Sequence, residues 1–305
     1  MYTAAVRTPL VRLDPVSTGF PEIWLKLETL QPIGAFKIRG AANAIGLLTP
    51  DQTRDGVWTV SAGNAAQGVA LAARNAGIAC SVLVMDTAPA AKLDAIRRLG
   101  AAIVQAPHDE CWNAVETHSS PRMHGHFVHP FDDDAFISGN GTAGVEIVED
   151  LPDVDAIVAA VGGGGLLAGI GCALRALKPG VKIYAAEPET AAPLDASFKA
   201  DAPVTFDAWQ TSFVDGAGGR SVLPSMWPLL RQYVDETIVV TLDDTAAAMK
   251  MAAARAHIIS EGAGACAIAA ALSSRIRDAG HRRVVAVVSG GNIDLTRFAK
   301  LIGAA

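Results

Sequence analysis

The chain has 305 residues, 50% of them hydrophobic and 18% charged, with a net charge of −6. That length accommodates two ordinary domains with substantial cores, and the acidic balance leaves no basic footprint for a nucleic acid. Met1 to Arg7 lacks the apolar core of a signal peptide, and the longest apolar run, Ile157 to Ile170, is too short and glycine-rich to span a bilayer; a cytoplasmic protein without membrane or nucleic-acid partners is expected.

The first informative segment is Leu30-Gln31-Pro32-Ile33-Gly34-Ala35-Phe36-Lys37-Ile38-Arg39-Gly40-Ala41. Its lysine lies among apolar neighbours at a glycine-flanked helical start. Desolvation there disfavours the ammonium and leaves an amine able to attack a carbonyl; the bland alternative is a lysine snorkelling from a surface helix. Arg39 reads as a surface or helix-supporting ion pair. Short β-rich runs then alternate with alanine-rich helical ones: Gly56 to Val60 before Gln67 to Ala76, Cys80 to Met85 before Ala90 to Gly100, and Ala102 to Gln105 before Cys111 to His118. The repeated strand-then-helix order predicts parallel sheets flanked by helices, an α/β fold.

Between the first strand and helix stands Ser61-Ala62-Gly63-Asn64-Ala65-Ala66-Gln67-Gly68, where backbone N–H groups at a helix start could clamp a carboxylate or simply be an ordinary cap. His124 to Gly144, rich in His, Pro, Asp and Gly, reads as a crossing between domains. His124, His126 and His129 alternate but complete no ligand geometry, and solvated or loop histidines are expected, with no metal. The pattern resumes with strand Ala156 to Val161, helix Leu166 to Leu177, strand Lys182 to Ala186, helices Ala246 to Ser260 and Ala263 to Ser274, and strand Val284 to Val288. Gly162, Gly163, Gly164 and Gly165 join the first of these strands to its helix and suit a phosphate. Gly163, Gly165 and Ala168, with Glu187 about twenty residues on, also satisfy a dinucleotide-type spacing, a weak signal. Ser289-Gly290-Gly291-Asn292 follows the last strand; Ser289 offers a ring nitrogen a neutral partner, or the segment is a plain turn. Cys80, Cys111, Cys172 and Cys266 show no CxxC spacing and read as reduced packing residues.

Four such segments in this order resemble the fold-type II pyridoxal-phosphate enzymes, and within them the threonine/serine dehydratase (ammonia-lyase) group; the resemblance covers roughly residues 7 to 298. It implies a two-domain fold similar to the tryptophan synthase β-subunit, with 1–40 and 139–305 forming a large cofactor-binding domain and 41–138 a small, mobile, substrate-closing one. Pyridoxal 5'-phosphate is the implied cofactor, a homodimer the implied assembly, and the deamination of a β-hydroxy-L-amino acid such as threonine, serine or phenylserine the implied reaction.

Carried over residue by residue, the resemblance makes Lys37 the catalytic lysine that also binds the cofactor, with Phe36, Asn64, Gly162 to Gly165, Glu261 and Ser289 around that cofactor. Ser61, Ala62, Gly63, Asn64, Ala65 and Gly216 would contact the substrate. Ala65 departs from the histidine common at its position, which puts the substrate's β-substituent in question. Relatives that bind a divalent cation use a glutamate at the place of Glu187, but a proline stands here where the second carboxylate would fall. β-Replacement synthases and racemases share the scaffold, and a dinucleotide-binding protein or a non-catalytic amino-acid sensor is the alternative from another class.

Overall fold

The structure is a computed structural model that describes residues 4–13 and 19–303, so the leader reading of Met1 to Arg7 falls partly outside the described residues. In chain order the elements are β1 (Leu10–Arg12), β2 (Glu22–Leu27), α1 (Lys37–Gly46), α2 (Pro50–Thr53), β3 (Val57–Val60), α3 (Asn64–Asn75), β4 (Cys80–Met85), α4 (Ala90–Arg98), β5 (Ala102–Ala106), α5 (His108–Thr117), β6 (His126–Phe127) and α6 (Asp134–Asp150). They continue with β7 (Ala156–Ala160), α7 (Gly165–Leu177), β8 (Lys182–Pro188), α8 (Pro193–Ala200), α9 (Trp227–Tyr233), β9 (Glu236–Val240), α10 (Leu242–Met251), α11 (Gly262–Ala271), α12 (Ser274–Asp278), β10 (Arg283–Val288) and α13 (Leu295–Leu301).

Two compact units result: Met1–Arg7 with Gln31–Asn140, and Thr8–Leu30 with Gly141–Ala305. Residues 31–40 therefore belong to the first unit, not with the later half as the sequence reading has it. The reason is local: α1 packs on α3, where a Cβ added to Gly68 would lie 3.0 Å from the Lys37 carbonyl oxygen.

The first unit holds a parallel four-stranded sheet ordered β5-β4-β3-β6, with Val57 opposite both Cys80 and His126. The second holds six strands ordered β1-β2-β10-β7-β8-β9, parallel except for β1. β10 is its centre, and Val284 to Val288 are fully buried, as both-face coverage of a parallel sheet demands. Every residue of α11, GAGACAIAAA, is buried too; a helix apolar all round has nowhere else to go. Near β2 the only strongly charged buried cluster described runs through Lys26, whose ammonium pairs with Glu146 at 2.6 Å and donates to the Thr8 carbonyl, while the Thr8 hydroxyl donates to Glu28.

The stretch 124–144 contains β6 and the start of α6, and the first unit gives way to the second within it, after Asn140. The expected helix Ala246 to Ser260 ends in a π-turn over Ala252–Ala256, closed by His257 at φ 57°.

Candidate active site

Lys37 opens α1, preceded by Phe36. Its amine donates to the Pro130 carbonyl oxygen at 2.6 Å and lies 5.2, 5.9 and 5.4 Å from the ring centres of Phe36, Phe131 and Phe136. The ring faces and the carbonyl favour the cation, whereas burial disfavours it. Burial prevails and pulls the amine from the usual 10.5 to about 8. At neutral pH that makes the nucleophilic neutral form about 300-fold more abundant than on an exposed lysine. Pro130, Phe131 and Phe136 carry no signal in the sequence that ties them to a lysine some 90 residues earlier.

The loop that supplies Pro130 is fixed by His129, which is buried. Its Nδ1 accepts the N–H groups of Phe131 at 3.2 Å and Asp132 at 2.7 Å. Nδ1 is therefore unprotonated, and the Nε2–H faces the Val115 carbonyl at 3.3 Å. Burial holds the imidazole down at about 4. Of the three histidines expected to be solvated or in loops, His124 is exposed, His126 lies half-buried on β6 and His129 is buried in its loop. His118, His129 and Asp132 bring ligand atoms within 4.8 Å of one another, yet a ring whose lone pair takes two backbone N–H groups has none for an ion. Arg39, expected in a surface or helix-supporting ion pair, is fully buried and therefore not at the surface.

Ser61 follows β3, and its hydroxyl oxygen accepts the Gly63 N–H at 3.0 Å. α3 starts at Asn64 with Gly63 as its cap residue and no capping side chain. Its first-turn N–H groups point toward an anion's place. Ser61, Ala62, Gly63 and Asn64 are half-buried, and Ala65 is buried. Gly68, one turn on, seats this helix against the Lys37 backbone, so the first unit brings Lys37 and the Ser61 to Ala65 turn onto packed neighbouring helices.

Within the second unit, Gly162 to Gly164 join β7 to α7, which begins at Gly165 without a side-chain cap. A Cβ on Gly162 would lie 2.6 Å from the Gly216 carbonyl oxygen, and one on Gly216 would lie 3.0 Å from Ala263 Cβ and 3.6 Å from Glu261 Oε1. The Glu261 N–H donates to the Gly290 carbonyl at 3.0 Å, and Ser289, just before it, is buried at the end of β10. The glycine run, the Gly216 turn, Glu261 and the Ser289 turn thus converge. An uncapped helix start in side-chain-free surroundings fits a phosphate. Glu187 stands apart from this convergence: its carboxylate accepts the N–H groups of Leu194 and Asp195 at 2.8 and 2.7 Å, capping α8. Burial pushes that carboxyl up to about 8.

Residues 2–290 match the family described as "Pyridoxal-phosphate dependent enzyme". The chain belongs to this family. Its members' cofactor is pyridoxal phosphate, and the dinucleotide spacing around Gly163 is thereby set aside. The chain is 38% identical over 292 residues to the L-threonine ammonia-lyase of Thermotoga maritima, covering 95% of this chain and 71% of that protein. It is also 38% identical to the catabolic L-threonine dehydratase TdcB of Staphylococcus aureus, covering 97% and 87%. Among solved structures, maize serine racemase superposes with a TM-score of 0.90 at 32% identity, covering 97% of this chain and 91% of that one. The fold is that of the fold-type II pyridoxal-phosphate dependent enzymes, with parallel sheets flanked by helices.

Proposed function

We propose that this protein deaminates a β-hydroxy-L-amino acid by α,β-elimination, releasing a 2-oxo acid and ammonia. The observation that carries the reading is Lys37, a buried amine tuned toward its neutral form at the head of α1, in a chain similar to threonine ammonia-lyases over nearly its whole length. Lys37 would hold the cofactor and, once freed, would take the proton from the substrate's Cα. Phe36 and Asn64 would pack against the cofactor, the N–H groups of Gly162 to Gly165 would bind its phosphate, Ser289 would partner its ring nitrogen without adding charge, and Glu261 would lie beside it. Pyridoxal phosphate, when bound, would supply the sink for the electrons left at Cα when that proton departs. The Ser61 to Asn64 turn binds the α-carboxylate, while Ala65 and Gly216 border the β-substituent. The first unit acts as the mobile, substrate-closing one, and a homodimer in the cytoplasm is the proposed working form. Among the described residues no helix is long and apolar enough to cross a membrane.

A screen of the purified holoenzyme against serine, threonine, phenylserine and hydroxyaspartate, following 2-oxo acid, tests the reaction. No product from any of them, with cofactor bound, would overturn it; a product formed only when a thiol is added would indicate β-replacement. The likeness to maize serine racemase favours racemisation as a second reading, against which stands Ala62: where related serine racemases carry a serine that acts from the face opposite the lysine, its methyl group has no proton to deliver.

A further inference from the structure

The acceptor that holds the Lys37 amine is a backbone carbonyl, and a carbonyl is only as well aimed as the peptides on either side of it. Pro130 fixes its own φ, but the orientation of its carbonyl is set by the peptide that carries the Phe131 N–H. That N–H, and the next one at Asp132, end on His129 Nδ1 at 3.2 and 2.7 Å. The far side of the ring is held as well, by the Val115 carbonyl at 3.3 Å and by edge-on contact with Phe131, ring centres 4.6 Å apart. Phe127 and His118 close the remaining faces at 5.5 and 4.9 Å. One imidazole therefore ties α5, β6 and the 130–132 loop to a single arrangement, the one in which the Pro130 oxygen sits 2.6 Å from Lys37 Nζ.

We propose that His129 is a positioning residue for Lys37: by accepting the Phe131 and Asp132 N–H groups it aims the Pro130 carbonyl at the lysine and so sets how readily the freed amine keeps its proton. It never touches substrate or cofactor in this role. The inference rests on Lys37 being the cofactor-holding lysine. A neutral imidazole is required, because a protonated Nδ1 would face two N–H groups, and burial keeps the ring neutral above about pH 4. The other charged or titratable groups on these packed elements are Arg39 on α1, His108, Asp109, Glu110, Cys111 and Glu116 on α5 with His118 at its end, His126 on β6, and Asp132 and Asp133 in the loop; all are retained in the variants below, so comparing the variants cancels their contributions.

The test separates an acceptor from a space-filler. His129→Asn keeps an oxygen near the place of Nδ1 but loses the ring, whereas His129→Phe keeps the ring and loses the acceptor. Full-length protein stripped of cofactor is mixed with pyridoxal phosphate across pH 6 to 10, and borohydride-trapped label on Lys37 is quantified by peptide mapping. A hydrogen bond to a charged group is worth roughly one to two pH units on its pKa. We expect the midpoint of the attachment rate to move down by about one unit in His129→Phe, since an ammonium without its aimed acceptor gives up its proton sooner, and to stay at the wild-type value in His129→Asn. An unmoved midpoint in His129→Phe, or an equal shift in both variants, overturns the proposal, the latter assigning His129 to packing alone. Should His129→Phe not fold, hydrogen exchange of the wild-type chain decides: strong protection of the Phe131 and Asp132 amides is expected, and exchange as fast as in exposed loops refutes the anchoring. If no label reaches Lys37 in the wild type, the functional reading itself falls, and this inference with it; label on Lys37 with unshifted midpoints removes only this inference.

Discussion

Replacing Gly164 by alanine isolates the cost of the phosphate-type turn. Gly164 sits at φ 91°, and a Cβ there would lie 2.8 Å from Leu230 Cδ1 and 3.1 Å from Cδ2. The left-handed backbone costs a residue with a Cβ about 1–2 kcal/mol. Leu230, buried on α9, cannot swing into solvent, and overpacking of this kind adds about 1–3 kcal/mol. A total near 3 kcal/mol corresponds to a fall in Tm of about 6–12 °C for a domain of this size. Gly180→Ala is the matched control, because nothing lies within 4 Å of its Cβ position. Calorimetry of the three cofactor-stripped proteins gives the comparison. A Leu230→Ala background then separates the two terms: there Gly164→Ala should cost only its backbone share, about 1–2 kcal/mol. A Gly164→Ala melt within 2 °C of wild type, or an equal loss in the control, would refute the reasoning from φ and contact distance. Surviving protein should also bind pyridoxal phosphate about tenfold more weakly for each 1.4 kcal/mol of strain that the cofactor has to accommodate.

The same trapping chemistry gives a sharper expectation for the unmodified chain. Attachment should accelerate as pH rises through about 8, where the Lys37 amine loses its proton, and not near 10.5 as for an exposed lysine. Label should appear on Lys37 and not on Lys26, whose ammonium is buried against Glu146; the reverse pattern would remove Lys37 from its role. Ala65→His should lower the ratio of kcat/KM for phenylserine over threonine by roughly tenfold, because an imidazole at a buried position takes volume from the side-chain end of the site. An unchanged ratio means that volume at residue 65 does not select the substrate. Chiral chromatography of a partly consumed L-substrate should show no D-enantiomer, if Lys37 serves one face as proposed, because the methyl of Ala62 has no proton to deliver to the other. D-isomer formed as fast as 2-oxo acid would make the protein a racemase, and slow racemisation introduced by Ala62→Ser would support the assignment.

The sequence by itself determined the family and the class of fold. Continuous apolar runs such as Val284 to Val288 announce strands covered on both faces, and the glycine-rich or polar turns that follow strands suit an anion because unpaired backbone N–H groups converge at the helix starts they lead into. Several helix starts come within a residue or two, as at Leu166 against the observed Gly165. Less legible were positions where packing overrides local preference. His124 to Gly144 reads as a crossing, but Gly139, Gly141 and Gly144 at its end lie inside α6, where added Cβ atoms would come within 2.5 Å of the Arg39 carbonyl, 2.8 Å of the Gly169 carbonyl and 3.3 Å of Ile170; glycine there permits close approach within a helix. Lys37 was legible as an unusual lysine from its neighbours in sequence. Its acceptor and two of the three rings around it come from residues 130 to 136, joined to it only by long-range folding. A side chain's proton affinity depends on how much water is removed and which dipoles replace it, and those are properties of the space around Lys37, which tertiary structure alone decides.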